Sequence, residues 1–367
     1  MQTGSATLKT VAIIGAGPAG CAAALALSSF SVQCTLFECG REGKDKACGD
    51  AFVPDAVREL QQLGVNESNL TSLGGRPFQA LCLRGPVGEP LRVPIGQFEG
   101  WVVRRAAIDQ HLRSIAARNC EVCYGTAVSA LEPNFRGNRL HFRNRSSELY
   151  AGVVIAAGSA SSSSHALAID GRPKLAVALS AYVSRGIQTE DLECYFSPSL
   201  RPGYGWRFPI AKDYANVGIC LFSPSPGPRL RSIATEFARS LGGDLGKPWR
   251  GGLVQLWSGE GALWHRSEGI VSCGDAAGLV DPSSGEGLSA ALRSGWEAGQ
   301  AVGRFVQSCG DVRALGAYSA WMREYFTTRY AKSTPRDFWD AWCGMDRSFE
   351  GSEPGGTKAS VPLARVQ

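Results

Sequence analysis

The chain has 367 residues, of which 44% are apolar and 19% are charged, proportions that are ordinary for a globular enzyme. This length exceeds one simple domain, suits a nucleotide-binding domain with a substrate domain, and can bury a large core without disulfides. The net charge of +5 is spread over 38 basic residues, without a long Lys/Arg run or a recognition motif, which argues against nucleic acid binding.

Hydrophobic patterning predicts alternating strands and helices in the first part of the chain and again from about residue 269. In chain order, the predicted elements are a strand at 10–14, a helix at 21–27, a strand at 32–38, a helix at 54–63, strands and loops at 75–100, a helix at 104–117, a strand at 153–158, strands with turns at 175–264, a strand at 269–275, a helix at 288–306 and an aromatic helical segment from 310.

The 12 cysteines are scattered along the sequence. Residues 11–30 are largely apolar, but they lack a basic n-region and a cleavage site and contain Pro18. We therefore interpret them as a buried strand, turn and helix rather than as a signal peptide or membrane span. We expect free thiols in a reducing cytoplasm. Cys120 and Cys123 form a lone CxxC on a predicted strand, where they point to opposite faces, so we expect no metal site.

A glycine motif follows the first strand and predicts dinucleotide binding. Gly15 permits the tight turn, Gly17 lets the backbone approach a pyrophosphate, and Gly20 allows close packing, with Ala19 in the same loop. The pyrophosphate is expected at the helix N-terminus, where free N–H groups favour it. Glu38 ends the next strand, as expected for a carboxylate that binds ribose hydroxyls. The alternative is a glycine-rich packing turn without a ligand.

A second motif selects the cofactor. The run Gly-Asp-Ala-Ala-Gly at 274–278, with a Gly-Glu-Gly loop at 285–287, resembles the second FAD fingerprint of the aromatic-hydroxylase-like flavoproteins. The resemblance implies that Asp275 approaches the FAD ribose and pyrophosphate. It also implies that Gly285, Gly287 and Leu288 face the flavin near N1, where a helix N-terminus stabilises negative charge. The alternative for Asp275 is a turn or cap residue.

Two further stretches are similar to those of the geranylgeranyl reductase-like family within this superfamily. Residues 46–50 resemble its Lys-Pro-Cys-Gly stretch, and residues 204–209 resemble its Tyr-x-Trp-x-Phe-Pro motif; the resemblance spans most of residues 10–310. It implies that Cys48, Gly49 and Arg105 contact the flavin.

The sequence also departs from the family pattern. Position 47 is Ala rather than Pro, and position 50 is Asp rather than Gly. The superfamily's Asp-Gly motif, which helps to hold the nicotinamide dinucleotide, appears as Ala-Ala-Gly at 156–158. Whether a reduced nicotinamide cofactor binds directly, or an external reductase partner supplies electrons, therefore stays open.

The catalytic candidates are Cys48, Tyr204, Trp206 and Phe208. The three aromatic residues alternate along a predicted strand and share one face, which suits an aromatic wall beside the flavin. A core stripe of a β-rich domain is the alternative. Cys48 is either a thiol that faces the flavin or a small buried residue.

The expected fold class is α/β, with a Rossmann-type FAD-binding domain, an inserted β-rich substrate domain and C-terminal helices. The predicted boundaries are 8–75, 100–165 and 265–310 for the FAD-binding domain, 76–99 and 166–264 for the substrate domain, 311–352 for the C-terminal helical segment and 353–367 for a disordered tail.

The sequence therefore predicts an FAD-dependent oxidoreductase and favours a monooxygenase that uses reduced flavin and oxygen. The expected substrate is a bulky aromatic or apolar group, either a small molecule or a residue of a partner protein. The alternative is a reductase of isolated carbon–carbon double bonds in a prenyl substrate. A halogenase is less favoured because Ala51 to Leu63 contain no lysine, and a flavin-binding sensor or assembly factor is less favoured because the Gly-Glu-Gly loop at 285–287 is intact.

Overall fold

A computed structural model describes residues 9–331, except 44, 87, 97–98, 135, 159–173, 185–190, 224–228, 243, 246–247 and 260–263. The tail predicted at 353–367 lies outside the described residues. The helices are α1 (Pro18–Leu27), α2 (Pro54–Gln62), α3 (Glu67–Ser72), α4 (Arg105–Ala116), α5 (Leu230–Ser240), α6 (Leu288–Gln307) and α7 (Arg313–Tyr330).

The first twelve strands are β1 (Thr10–Ile14), β2 (Gln33–Phe37), β3 (Ala51–Phe52), β4 (Arg76–Phe78), β5 (Ala80–Arg84), β6 (Leu91–Pro94), β7 (Gly100–Val102), β8 (Glu121–Cys123), β9 (Val128–Asn134), β10 (Gly137–Phe142), β11 (Glu148–Tyr150) and β12 (Gly152–Ile155). The later strands are β13 (Lys174–Ser184), β14 (Leu192–Tyr195), β15 (Gly203–Ala211), β16 (Tyr214–Leu221), β17 (Asp244–Leu245), β18 (Arg250–Leu256), β19 (His265–Arg266) and β20 (Ile270–Ser272).

A six-stranded sheet in the order β19-β20-β12-β1-β2-β8 forms the nucleotide-binding part of the fold, and all of its pairings except β19–β20 are parallel. The apolar sequence of β1 suits a parallel strand that is covered on both faces. Because the carboxyl ends of parallel strands meet at one edge, Gly15, Glu38 and Cys273 all follow strands that end at the same edge of the sheet. The predicted Rossmann-type α/β fold is confirmed.

Helices α6 and α1 pack closely enough for their backbones to be in contact. A Cβ atom placed on Gly295 would lie 2.1 Å from the Ala19 carbonyl oxygen, and one on Gly299 would lie 2.4 Å from that of Ala23. Glycine therefore allows the two helices to approach more closely than any other residue would. This packing brings the first glycine motif next to the 274–287 segment.

Three aromatic side chains hold the backbone of the segment 272–279 through hydrogen bonds. Tyr318, Trp264 and Tyr330 donate hydrogen bonds to carbonyl oxygens of this segment at 2.7, 3.2 and 3.0 Å, respectively. Two of these donors lie on α7, so the C-terminal helix fixes the backbone around Asp275.

An eight-stranded sheet contains the order β17-β13-β16-β15-β14-β5-β6, with β18 also paired to β13. We call the face that carries Trp206 the front face and the opposite face the back face. On the back face, α5 packs through Ala234 and Phe237 against Ile219 and neighbouring residues. The sequence analysis expected only strands and turns at 175–264, so α5 is an additional element.

The front face is partly covered by a three-stranded sheet in the order β3-β7-β4. Phe78 and Val102 of this small sheet pack with Tyr182 and Leu192 of the larger one. Among the described helices, none combines the length and the apolar character needed to cross a membrane.

The contact between α1 and α6 predicts opposite effects for two helical glycines. Gly299→Ala places a methyl group against the Ala23 carbonyl and should lower the free energy of unfolding by about 1–3 kcal/mol. Gly316→Ala on α7 meets open space and should raise it by about 1 kcal/mol through helix propensity alone. Urea unfolding of both variants provides the measurement. Equal effects at the two positions would contradict the close packing.

Candidate active site

The three motif glycines occupy different environments. Gly15 has a φ of +105°, and a Cβ there would lie 2.5 Å from the Ala156 carbonyl oxygen. A Cβ on Gly20 would lie 1.9 Å from the Gly15 carbonyl oxygen, whereas one on Gly17 would meet nothing within 4 Å. Gly15 and Gly20 therefore serve the turn itself. Gly17 leaves open space beside the N-terminus of α1, which fits a pyrophosphate.

Glu38 lies beside the same helix N-terminus. Its carboxylate accepts hydrogen bonds from the Ala16 backbone N–H at 3.1 Å and from the Gly40 N–H at 2.7 Å. These bonds hold the carboxylate next to the glycine loop. Its predicted contact with a ribose stays a prediction.

A buried line of charged groups joins the glycine loop to α4. The Arg113 Nε donates to the Ala16 carbonyl oxygen at 2.8 Å, and Arg113 lies 3.9 Å from Asp109. Asp109 accepts two hydrogen bonds from the Arg105 guanidinium, both at 3.1 Å. Burial opposes the charge of Arg105, but Asp109 and the Cys48 thiol outweigh burial and raise the pKa of Arg105.

Asp275 lies at the carboxyl end of β20, where Lys46 reaches it from the loop after β2. The Lys46 Nζ is 3.0 Å from the Asp275 carboxylate, although the two residues are 229 positions apart in sequence. Burial disfavours the charged carboxylate, but Lys46 outweighs it and holds the pKa of Asp275 below its ordinary value. Lys46 was not among the predicted site residues, although it belongs to the motif at 46–50.

The 281–287 loop is held by its own side chains. The Asp281 carboxylate accepts the backbone N–H groups of Ser283 and Ser284 at 2.7 and 3.2 Å. Gly285 has a φ of +73°, which favours glycine. Gly287 precedes α6, and the buried Leu288 is the first residue of that helix.

The aromatic residues of β15 lie between this loop and the loop at 48–50. Tyr204, Trp206 and Phe208 form a row on the front face with ring centroids 6.1 Å apart at each step. At one end, the Tyr204 hydroxyl donates to the Ser284 carbonyl oxygen at 2.6 Å. At the other end, a Cβ on Gly49 would lie 2.9 Å from the Phe208 ring. The row therefore brings together the two loops that the sequence assigned to the flavin.

Cys48 is partly exposed and lies beside the buried Arg105 guanidinium. Burial raises the pKa of the Cys48 thiol, and the nearby positive charge of Arg105 only partly offsets this. The group is therefore a neutral thiol at neutral pH, able to hold a proton but not preformed as a thiolate nucleophile.

Three residues around Cys48 were absent from the predicted site. Asp50, Tyr182 and Asn216 form a buried hydrogen-bond network beside the aromatic row, on the same front face of the sheet. Asn216 stands close to the quoted Tyr-x-Trp-x-Phe-Pro motif, and Asp50 was noted only as a departure from the family pattern. Tyr182 carries no sequence signal, because its role arises only from the pairing of β13 with β16.

Comparisons with known proteins identify the class of protein. A family model described as pyridine nucleotide-disulphide oxidoreductase matches residues 9–190. The chain is 27% identical to a menaquinone reductase of Mycolicibacterium smegmatis, covering 89% of this chain and 83% of the relative. It is 26% identical to digeranylgeranylglycerophospholipid reductase 1 of Methanothermobacter thermautotrophicus, covering 86% and 82%, respectively.

Solved structures support the fold. A geranylgeranyl bacteriochlorophyll reductase-like protein from Thermoplasma acidophilum superposes with a TM-score of 0.77 at 20% identity and covers 89% of each chain. The flavin-dependent halogenase CmlS superposes with a TM-score of 0.72 at 21% identity and covers 95% of this chain and 66% of the other.

This protein is an FAD-dependent oxidoreductase. Its resemblance to the geranylgeranyl reductase-like family is confirmed. The residues present also fit the cofactor, since the open space at Gly17 lies beside a helix N-terminus and the two flavin-motif loops meet at one aromatic row.

The open space at Gly17 yields a test of the cofactor site. Gly17→Val should abolish most FAD binding because its side chain fills the space left for the pyrophosphate, while the apoprotein should unfold at nearly the unaltered temperature. Gly20→Val is the contrasting variant and should destabilise the apoprotein itself. FAD absorbance per protein and thermal unfolding of the apoproteins provide the measurements. Normal FAD content in Gly17→Val would contradict this assignment.

Proposed function

We propose that this protein is a flavin-dependent reductase of carbon–carbon double bonds in a substrate with a polyprenyl chain. When bound, reduced FAD supplies a hydride. The observation that carries the proposal is the aromatic row on β15, which joins both flavin-motif loops and offers an apolar face with neutral protic groups. Relatives named as reductases of menaquinone and of a digeranylgeranyl lipid support it, because both named compounds carry polyprenyl chains.

In this proposal, each loop holds one part of the cofactor. Gly15, Gly17, Ala19 and Gly20 hold the pyrophosphate at the start of α1, and Glu38 binds the adenosine ribose. Asp275 approaches the ribose and pyrophosphate region of FAD.

The flavin ring then lies between two backbone segments. Gly285, Gly287 and Leu288 approach it from the start of α6, where N–H groups favour the negative charge of the reduced ring. Cys48, Gly49 and Arg105 approach it from the other side.

The substrate chain follows the front face of the eight-stranded sheet. A cross-strand row runs from Gly252 through Ala178 and Cys220 to Tyr204, so small residues lead from the β18 edge to the aromatic row. Gly252 and Ala178 are accessible, and a Cβ on Gly252 would meet nothing within 4 Å. This face holds a hydrocarbon chain by burying it from water.

Reduction of an isolated double bond needs a proton as well as a hydride. The Cys48 thiol and the Tyr204 hydroxyl are neutral protic groups at this face, because burial raises the pKa of each. Cys48 is the better placed proton holder, since the Tyr204 hydroxyl already donates to the Ser284 carbonyl. Trp206 and Phe208 exclude water and orient the chain.

A monooxygenase, which the sequence favoured, is the second candidate. The same aromatic row excludes water, as oxygen chemistry on reduced flavin requires. In that case Trp206→Ala would uncouple the reaction, so that reduced cofactor is consumed and hydrogen peroxide replaces product. In a reductase, the same change would weaken substrate binding without making product formation depend on oxygen.

The decisive experiment uses chemically reduced enzyme under strict anaerobiosis with geranylgeranyl diphosphate or a menaquinone as substrate. We expect a product in which the polyprenyl chain, rather than the quinone ring, has gained two hydrogens, as shown by fragmentation in mass spectrometry. A product that gains one oxygen atom, and only after air is admitted, would favour the monooxygenase. If neither product forms with either polyprenyl compound, this result counts against the proposed substrate class.

The path of the chain predicts the effect of a fold-neutral obstruction. Gly252→Phe should raise the KM for the polyprenyl substrate about tenfold by filling the route to Tyr204, while FAD content and thermal stability stay unchanged. Gly316→Phe, on the exposed side of α7, is the matched control and should leave the KM unchanged. Steady-state kinetics with both variants provide the measurement, and an unchanged KM in Gly252→Phe would exclude this route.

A further inference from the structure

Asp50 occupies an unusual position at the end of the 45–50 loop. It is 1% exposed and has a φ of +64°, a left-handed conformation that few non-glycine residues adopt. The geranylgeranyl reductase-like pattern has glycine here, which takes up this conformation without strain. A strained residue persists only where its surroundings hold it firmly, so the contacts of the Asp50 side chain require an explanation.

Three neutral donors from three elements hold the Asp50 carboxylate. The backbone N–H of Arg105 at the start of α4 donates at 2.8 Å, the Tyr182 hydroxyl on β13 donates at 2.8 Å, and the Asn216 side-chain amide on β16 donates at 2.7 Å. Two of these elements belong to the eight-stranded sheet. The carboxylate therefore ties the cofactor loop to the sheet that carries the aromatic row.

Asn216 extends this connection to Trp206. Its Nδ2 donates to Asp50 and also to the Cys48 carbonyl oxygen, each at 2.7 Å, while its Oδ1 accepts from the Trp206 indole Nε1 at 2.9 Å. An indole nitrogen can only donate, and a carbonyl or carboxylate oxygen can only accept. All three partners therefore require the same orientation of the Asn216 amide. Removal of the Asp50 acceptor removes one of the three bonds that fix this orientation.

Packing against the neighbouring strand also restricts the position of the Trp206 indole. A Cβ on Gly218 would lie 2.1 Å from the Trp206 ring, so the indole lies flat over that glycine on the neighbouring strand. Its position along the sheet is then set by the bond to Asn216. The network thus couples one wall of the substrate face to the backbone of Cys48.

We propose that Asp50 is a positioning residue that holds the Cys48 backbone and the Trp206 indole as one unit, acting on Trp206 through Asn216. It fixes the separation between the cofactor loop and the substrate wall. This role rests on the proposed function for its effect on turnover, but the network itself exists without substrate.

Two variants test the role. In Asp50→Asn, one of the two acceptor oxygens becomes an NH2 group, so at least one of the three donors that meet the carboxylate loses its acceptor and the network around Asn216 is weakened. In Asp50→Gly, the acceptor is lost while the backbone strain is relieved, so this variant is expected to fold. Both should diminish the near-UV circular dichroism band of Trp206, which is assigned from the difference spectrum of Trp206→Phe. Both should lower kcat about tenfold or more, with a smaller change in FAD affinity.

A double-mutant cycle separates positioning from general loss of structure. If Asp50 acts through Trp206, Asp50→Gly should cause little further loss of kcat in a Trp206→Phe background. Asn138→Ala, which removes another buried amide that donates to the Ala151 and Glu268 carbonyls, is the matched control. It should lower stability but leave the Trp206 band and kcat unchanged.

The dichroism band is read in the apoprotein and the FAD-loaded protein without substrate, so it tests the network independently of the reaction. An unchanged band in both Asp50 variants, or fully additive losses of kcat in the cycle, would overturn the proposal. A changed band in a protein that reduces no polyprenyl compound would instead count against the proposed function alone.

Discussion

The contact between α1 and α6 determines where the cofactor motifs lie. The two motifs are separated by more than 250 residues in sequence, and they meet because Gly295 and Gly299 let the backbones of the two helices approach. A Cβ on Gly274 would also lie 3.0 Å from the Ala19 side chain, so the second motif is fitted directly against the start of α1. Dispersion and burial between the helices then stabilise an arrangement whose main purpose is to join two loops.

The loop at 45–50 fills the space between this helix pair and the eight-stranded sheet. Asp45 forms an ion pair with Arg250 on β18, Lys46 bonds to Asp275 after β20, and Asp50 bonds to β13 and β16. Each contact reaches a different element. This six-residue loop therefore fixes the position of the cofactor motifs relative to the substrate sheet.

Sequence patterns over a few residues predicted those parts of the fold that are specified by short motifs. The strand, turn and helix at 10–27 follow from an apolar run, Gly15 and Pro18, and the row on β15 follows from alternation of aromatic residues. The helix Leu230–Ser240 was missed because it is short and lies among strands, although its apolar residues recur at helical spacing. The predicted domain boundaries stay a prediction.

Long-range pairings lay beyond such rules. Tyr182 became a partner of Asp50 only through the register of β13 with β16, which no local pattern encodes. Likewise, the lone CxxC indicated nothing about Cys120, whose Sγ lies 2.9 Å from that of Cys34 on the neighbouring strand. In both cases the sequence gives the type of residue, but it does not indicate which distant residue lies next to it in the fold.

The electrostatics of the site narrow the chemistry that it supports. Three carboxylates near the 45–50 loop are engaged: Asp50 by three neutral donors, Asp109 by the Arg105 guanidinium, and Asp275 by Lys46. None of these three is free to abstract a proton from a substrate carbon. At the apolar face, burial raises the pKa of the Cys48 and Cys220 thiols and of the Tyr204 phenol, so these three groups are protonated at neutral pH. Under the proposed function, a protonated group at this face supplies the proton that accompanies the hydride.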